Sequence, residues 1–222
     1  MNIEEIVTHV DHTLLAVEAT SEQIKLLCEN AVKLGCASVC VAPCFTQLAK
    51  KEVCGKIRVC TVVGFPAGFQ TTAVKVFETK DAIKNGADEI DIVINIGFLK
   101  EKRYDDLFYE IKSVREACIG KTFKVIIETC LLTEEEKIKM CEIVTNAKAD
   151  YIKTSTGFSK AGATFEDIKL FKANLGEKVK IKAAGGIKTI GDAEEFLRLG
   201  ADRLGTSKVV SEILKNEPDT DY

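Results

Sequence analysis

Histidine is scarce: His9 and His12 are the only two among 222 residues. They flank Asp11 in HVDH, but on a strand positions 9 and 12 face opposite ways. No third histidine exists to complete a site, so metal dependence is not expected. A strong charge of one sign is also missing. The chain carries 31 Lys and Arg against 34 Asp and Glu, a net charge of −3. That balance gives no electrostatic reason to expect nucleic acid or a membrane surface as partner. No apolar run approaches the roughly 18 residues of a membrane span. The opening MNIEEIVTHVDHTLL lacks the basic-then-apolar order of a secretion signal, and a cytoplasmic protein is expected.

Other absences narrow the class. There is no CxxC pair among the nine cysteines, and Cys36, Cys40 and Cys44 stand four apart. That spacing matches neither the common zinc patterns nor a usual iron–sulfur run, so reduced cysteines used as small core residues are expected. No GxGxxG follows any apolar run, which removes the dinucleotide-binding form of an open doubly wound sheet. No Pro/Gly/Ser-rich linker or composition shift divides the chain. The one biased stretch is NEPDTDY at 216–222, read as a polar tail on a single domain covering 1–222. With 46% hydrophobic and 29% charged residues, one sizeable core is expected.

What is present is a regular alternation. Short β-branched runs occur at 10–15, 38–43, 58–65, 89–97, 124–130, 150–156, 180–186 and 202–207. Segments of helical periodicity lie between them. In QIKLLCENAVKLG, residues Ile24, Leu27, Cys28, Ala31 and Leu34 share a face and Gly35 supplies the stop. The junction recurs as NGADEIDIV, AKADYIKTS and LGADRLGTS, with LGCASVCVA a looser copy. Alternating βαβ units imply a parallel sheet. Eight units of about 28 residues close into a single (β/α)8 TIM barrel.

Strand alternation sorts the side chains. In EIDIVIN, Ile90, Ile92 and Ile94 face the helix layer, while Glu89, Asp91 and Val93 point into the barrel. In DYIKTS, Tyr151, Lys153 and Ser155 point inward; in KIKAAGG, Lys182 does. Asp91, Lys153 and Lys182 therefore converge on one interior, near the C-terminal mouth where barrel enzymes carry their sites. Lysines on neighbouring strands, roughly 4.8 Å apart, repel, which lowers the pKa of one and frees an amine for carbonyl attack. An ordinary buried Lys–Asp pair is the alternative that periodicity leaves open. Loops after the seventh and eighth strands, with Gly185, Gly186, Thr206 and Ser207, form a candidate anion cradle at helix N-termini. Asp11 either joins the interior cluster or pairs with backbone. The run FPAGFQTTAVKVFE reads as strand, loop and helix start, with capping hydroxyls expected at Thr71 and Thr72, and is either an ordinary βα loop or a substrate contact.

At DHTLL, SVCVAP, TVVGFPAG, TTAVKVFETKDAIKNGADEIDIVINIG, KVIIETC, YIKTSTGFS, IKAAGGIKT and GADRLGTS the sequence resembles the deoxyribose-phosphate aldolase family, most nearly its shorter bacterial branch, over nearly the whole chain. The resemblance implies a cofactor-free class I aldolase that reversibly cleaves 2-deoxy-D-ribose 5-phosphate to D-glyceraldehyde 3-phosphate and acetaldehyde. It implies Lys153 as the Schiff-base nucleophile, with Asp91 and Lys182 serving the proton transfers. Thr156, Gly157, Gly185, Gly186, Gly205, Thr206 and Ser207 are the expected phosphate-side contacts. Asp11, Cys40, Lys188 and the terminal Tyr222 are further candidates. A homo-oligomer, dimer or tetramer, is expected. Departures from the family pattern are Lys160 and Ala161, where Thr and Gly are frequent, Lys208, where a small residue is common, and Ala42, smaller than usual.

Overall fold

The computed structural model describes residues 1–216. Eight parallel strands close into a barrel in chain order, β1 pairing with β8. They are β1 (Val10–Leu14), β2 (Ser38–Val41), β3 (Arg58–Val63), β4 (Glu89–Val93), β5 (Thr122–Ile126), β6 (Tyr151–Lys153), β7 (Lys180–Ala184) and β8 (Arg203–Thr206). The helices are α1 (Ile3–Val7), α2 (Ser21–Leu34), α3 (Thr46–Glu52), α4 (Thr72–Lys84), α5 (Ile96–Lys100), α6 (Tyr104–Ala117), α7 (Glu134–Asn146), α8 (Phe165–Asn174), α9 (Ile190–Arg198) and α10 (Lys208–Asn216). This is the (β/α)8 barrel that the alternation predicts.

Local chemistry fixes the helix ends. Thr20, Thr133 and Thr189 each form a capping box with the third residue of the helix they open. Gly35 closes α2 in the left-handed conformation at φ 73°, where a side chain would be strained. The expected caps at 71 and 72 are corrected in part: Thr71 is the N-cap residue of α4 but its hydroxyl makes no capping bond, and Thr72 is already helical.

The main core lies between sheet and helices. Ile90, Ile92, Phe123, Val125, Ile152, Ile181 and Leu204 pack there against Ile24, Leu27, Ile111, Val144 and Ile168. Alternate positions on the same strands point to the barrel axis, and there the filling is ionic. Among the described residues no helix is long and apolar enough to cross a membrane. Tyr222 and all of the 216–222 segment except Asn216 lie outside the described residues.

Candidate active site

The barrel interior holds a continuous ionic cluster. Asp91 on β4 sits at its centre, fully buried. Its Oδ2 accepts hydrogen bonds from Lys153 Nζ and Lys182 Nζ, each at 2.8 Å. Its Oδ1 accepts from Lys124 Nζ at 2.9 Å and from Cys60 Sγ at 3.1 Å. Lys182 also lies 2.5 Å from Asp11 Oδ2. Asp11 in turn accepts from Ser38 Oγ at 2.7 Å and from Arg203. Below them Glu89 pairs with Lys124 and, at 3.3 Å, with Arg203.

Register explains the convergence. Lys153 and Lys182 are direct partners across β6 and β7, Asp91 faces Lys124 across β4 and β5, and Lys182 faces Arg203 across β7 and β8. Asp11 belongs to this cluster, which settles the choice left open by the sequence. At Gly205 a Cβ would stand 2.9 Å from Ala184 Cβ and 3.3 Å from Lys182 Cε. The missing side chain leaves the room that Lys182 occupies.

The electrostatics differ from the expected lysine–lysine repulsion. Burial works against the Lys182 ammonium, but Asp11 and Asp91 outweigh it and hold Lys182 above the ordinary lysine range rather than below it. Burial likewise opposes the Asp91 carboxylate, yet Lys124, Lys153 and Lys182 keep it well below the usual carboxylate range. The reason is Asp91 itself: one carboxylate oxygen between two ammonium groups replaces repulsion with attraction. Three carboxylates (Asp11, Glu89, Asp91) face four cationic side chains (Lys124, Lys153, Lys182, Arg203). One amine is therefore left without a full counter-charge. Among the described residues Lys153 has Asp91 as its one carboxylate partner, whereas Lys182 has two and Lys124 three.

Above the cluster lies a cavity of about 300 Å³ lined by Lys153, Thr156, Gly157, Gly185, Gly186 and Ser207, with Gly205, Thr206, Lys188 and Lys208 around it. Gly157, Gly185 and Gly186 have φ of 86°, 75° and 80°, conformations that glycine adopts without strain. The hydroxyls of Thr156 and Thr206 are spent on bonds to the neighbouring loops. Thr156 donates to Glu128, and Thr206 donates to Ile187 O at 2.9 Å while accepting from Lys208 N at 3.1 Å. These threonines shape the cradle, leaving backbone N–H groups, Ser207 and the exposed lysines to meet a ligand. Lys188 and Lys208 are exposed at the rim, and Lys208 begins α10. Lys160 is exposed and outside the lining. Ala42 lines an adjoining apolar chamber of about 270 Å³ that shares Leu15 and Phe158 with the first. Cys40 is fully buried in the interior beside Cys60.

Three interior residues escaped the sequence reading as site residues: Lys124, Arg203 and Ser38. All obey the same period-two rule, and Lys124 could have been found from KVIIETC by alternation. Glu128, held at φ 54°, and Gly162, where a Cβ would meet Gly185 O at 2.3 Å, could not; both depend on how neighbouring loops meet. Sulfur and oxygen atoms of Cys40, Cys60 and Asp91 lie within 4.8 Å of one another. Lys124 already contacts both Cys60 Sγ and Asp91, so a divalent ion there would face several ammonium groups. The donor set suits proton and imine chemistry.

The sequence matches the family described as DeoC/LacD family aldolase over residues 6–204. It is 57% identical to a deoxyribose-phosphate aldolase of Clostridioides difficile, over 99% of this chain and all of that one. It is 52% identical to a deoxyribose-phosphate aldolase of Clostridium botulinum over the full length of both. The structure resembles an aldolase designated QR15, with TM-score 0.91 and 38% identity, covering 95% of this chain and 96% of that one. It also resembles the tetrameric deoxyribose phosphate aldolase of Aeropyrum pernix, with TM-score 0.87 and 26% identity over 97% and 93% of the two chains.

Proposed function

The chain belongs to the DeoC/LacD aldolase family, and from that premise we propose that it cleaves 2-deoxy-D-ribose 5-phosphate through an imine on Lys153. One observation carries this reading. Lys153 is the cationic side chain of the interior cluster that also lines the cavity, and it is the least countered of the amines. A neutral amine there can add to the sugar C1 aldehyde; loss of water gives the imine.

The remaining steps follow from the charges around it. Protonated, the imine draws electrons from the C2–C3 bond. A base removes the proton of the 3-hydroxyl, and the bond breaks to release D-glyceraldehyde 3-phosphate and leave an enamine on Lys153. Protonation of the enamine carbon and hydrolysis of the new imine release acetaldehyde. Asp91 and Lys182, joined by one short hydrogen bond, are the pair we assign to these transfers, through water. The 5-phosphate lies at the glycine loops of Gly157, Gly185 and Gly186 with Ser207, where the N-terminus of α10 and the Lys188 and Lys208 ammonium groups favour an anion. Holding the phosphate there fixes the aldehyde carbon against Lys153.

Nine unpaired cysteines support work in a reducing, cytoplasmic compartment. A homo-oligomer is the assembly we favour, since the Aeropyrum pernix relative is tetrameric. The test of the nucleophile is direct. Incubation with acetaldehyde and borohydride should fix a reduced adduct on the peptide containing Lys153, and Lys153→Leu should abolish cleavage with an unchanged circular dichroism spectrum. An adduct on another residue, or none, overturns the assignment.

A further inference from the structure

Two cysteines that the cleavage chemistry does not use stand side by side next to its carboxylate. Cys40 on β2 and Cys60 on β3 are direct register partners, both fully buried and both on the inner face. Adjacent strands hold their Cα atoms roughly 4.8 Å apart, within the about 4.4–6.8 Å that a disulfide spans. Both side chains point toward the barrel axis, so curvature brings their Cβ atoms closer than their Cα atoms. Cys60 Sγ donates to Asp91 Oδ1 at 3.1 Å and receives a contact from Lys124 Nζ at 3.4 Å. The pair packs with Val62, Leu15 and Phe65, the same three side chains that line the apolar chamber at the mouth. A small uncharged oxidant has a short path to it.

We propose that Cys40 and Cys60 form a cross-strand dithiol that a hydroperoxide converts to a disulfide, disabling Asp91 beside it. The adjoining Cys60 and the Lys182 and Lys153 ammonium groups hold the Cys40 thiol below its ordinary range against the opposing effect of burial, while burial pushes Cys60, whose own hydrogen is engaged by Asp91, well above it. Cys40 is therefore the attacking thiolate. Its sulfur takes the distal oxygen of the hydroperoxide, breaking the O–O bond; the alkoxide or hydroxide leaves and takes up a proton, and Cys40 becomes a sulfenic acid. Cys60 sulfur then attacks Cys40 sulfur, expelling hydroxide that leaves as water with the Cys60 proton. Two thiols are oxidised by two electrons and one peroxide is reduced. Asp91 Oδ1 loses the Cys60 donor and keeps only Lys124 of its two donors, so the carboxylate that orients Lys153 and Lys182 is held less firmly on that side. Thiol–disulfide exchange reverses the change.

The test is oxidation of the purified protein with hydrogen peroxide, followed by digestion without reductant and fragmentation of linked peptides. A bond from Cys60 to Cys40, and not to Cys36 or Cys44, is expected. Deoxyribose-phosphate cleavage should fall at least about tenfold, the scale of a lost hydrogen bond to a charged group, in step with the linked fraction, and dithiothreitol should restore it. Cys40→Ala and Cys60→Ala, each compared with its own untreated activity, should lose the reductant-reversible part. Absence of the link while the exposed Cys44 and Cys54 oxidise overturns the proposal. Equal reversible inactivation of Cys60→Ala does the same, and so does a link formed without loss of activity. The activity arm rests on the aldolase reading; the link is detected without it, so the two can fail separately. If either variant does not fold, the correlation of link and activity in the unaltered protein decides.

Discussion

Lys182 shows how one side chain serves charge balance and chemistry together. It sits with no solvent exposure between Asp11 and Asp91, 2.5 and 2.8 Å from their carboxylates. Removing it leaves two buried carboxylates short of a partner, a change that typically costs about 3–5 kcal/mol. Lys182→Met should therefore lower stability by that order in denaturant melts. It should also reduce cleavage by at least about 100-fold, the scale of a lost acid–base group. Near-normal turnover would remove Lys182 from the proton path. The triad of Asp91, Lys153 and Lys182 was legible because period two is rigid: each residue's neighbours two positions away are also inward. Lys124 and Arg203 obey the same rule and were legible in principle. The strand of Lys124 ends in no glycine, and Arg203 opens β8 ahead of its glycine, so neither stands beside a candidate loop in the local sequence. Glu128 and Gly162 were not legible, since their roles arise only where loops from different units touch.

At the scale of elements, the order and location of all eight strands could be read from the sequence, while their C-terminal ends could not. The predicted 89–97 ends as a strand at Val93, and the predicted 150–156 ends at Lys153. Beyond those points the chain turns out of the ladder to build the mouth. Asn95 caps α5 by accepting from Phe98 N at 3.3 Å, inside what reads as strand. Short helices such as α1 and α5, five residues each, carry too few turns for periodicity to register. One buried pair holds two of these ends. Lys75 Nζ donates to Gly68 O, Val93 O and Glu110 Oε2 at 2.6, 2.8 and 2.8 Å, and Glu110 accepts from Asn95 N at 3.0 Å. It thereby ties the loop after β3 to the end of β4, which carries Asp91. Lys75→Met should cost about 3–5 kcal/mol by leaving Glu110 buried and unpaired, and Lys75→Met with Glu110→Gln should recover part of that. A double variant no better than the single one would contradict the ion-pair account. Gly68 is the other constraint: at φ 74° a Cβ would stand 2.0 Å from Ile94 O. Gly68→Ala should destabilise by more than about 2 kcal/mol, measured by thermal unfolding.

For the whole molecule, an ion-filled interior and a hydrocarbon shell make stability depend on pH in two stages. His12 is on β1 facing the helix layer, opposite in sense to Asp11. It is nearly fully buried, and its Nδ1 has no hydrogen-bond partner among the described residues. Burial pushes its pKa down from 6.5 to about 4, partly offset by a backbone hydrogen bond with Thr206. The unfolded chain therefore takes up a proton near pH 6.5 that the folded chain refuses until about pH 4. The folded state keeps this contribution in full above pH 6.5 and loses it progressively as pH falls to about 4, by up to about 3 kcal/mol. Asp11 and Asp91 act in a lower window. Both are held below the usual carboxylate range by the lysines and Arg203 against the effect of burial. Their contribution is present above the ordinary carboxylate pKa and is lost only as pH falls beneath it. Urea melts across pH 8 to 3 should show a first decline between about 6.5 and 4, then a steeper one. His12→Gln should flatten the first decline and leave the second in place. A first decline that persists in His12→Gln would mean that another group titrates there, and that burial of a neutral histidine behind the sheet does not limit this barrel in mild acid.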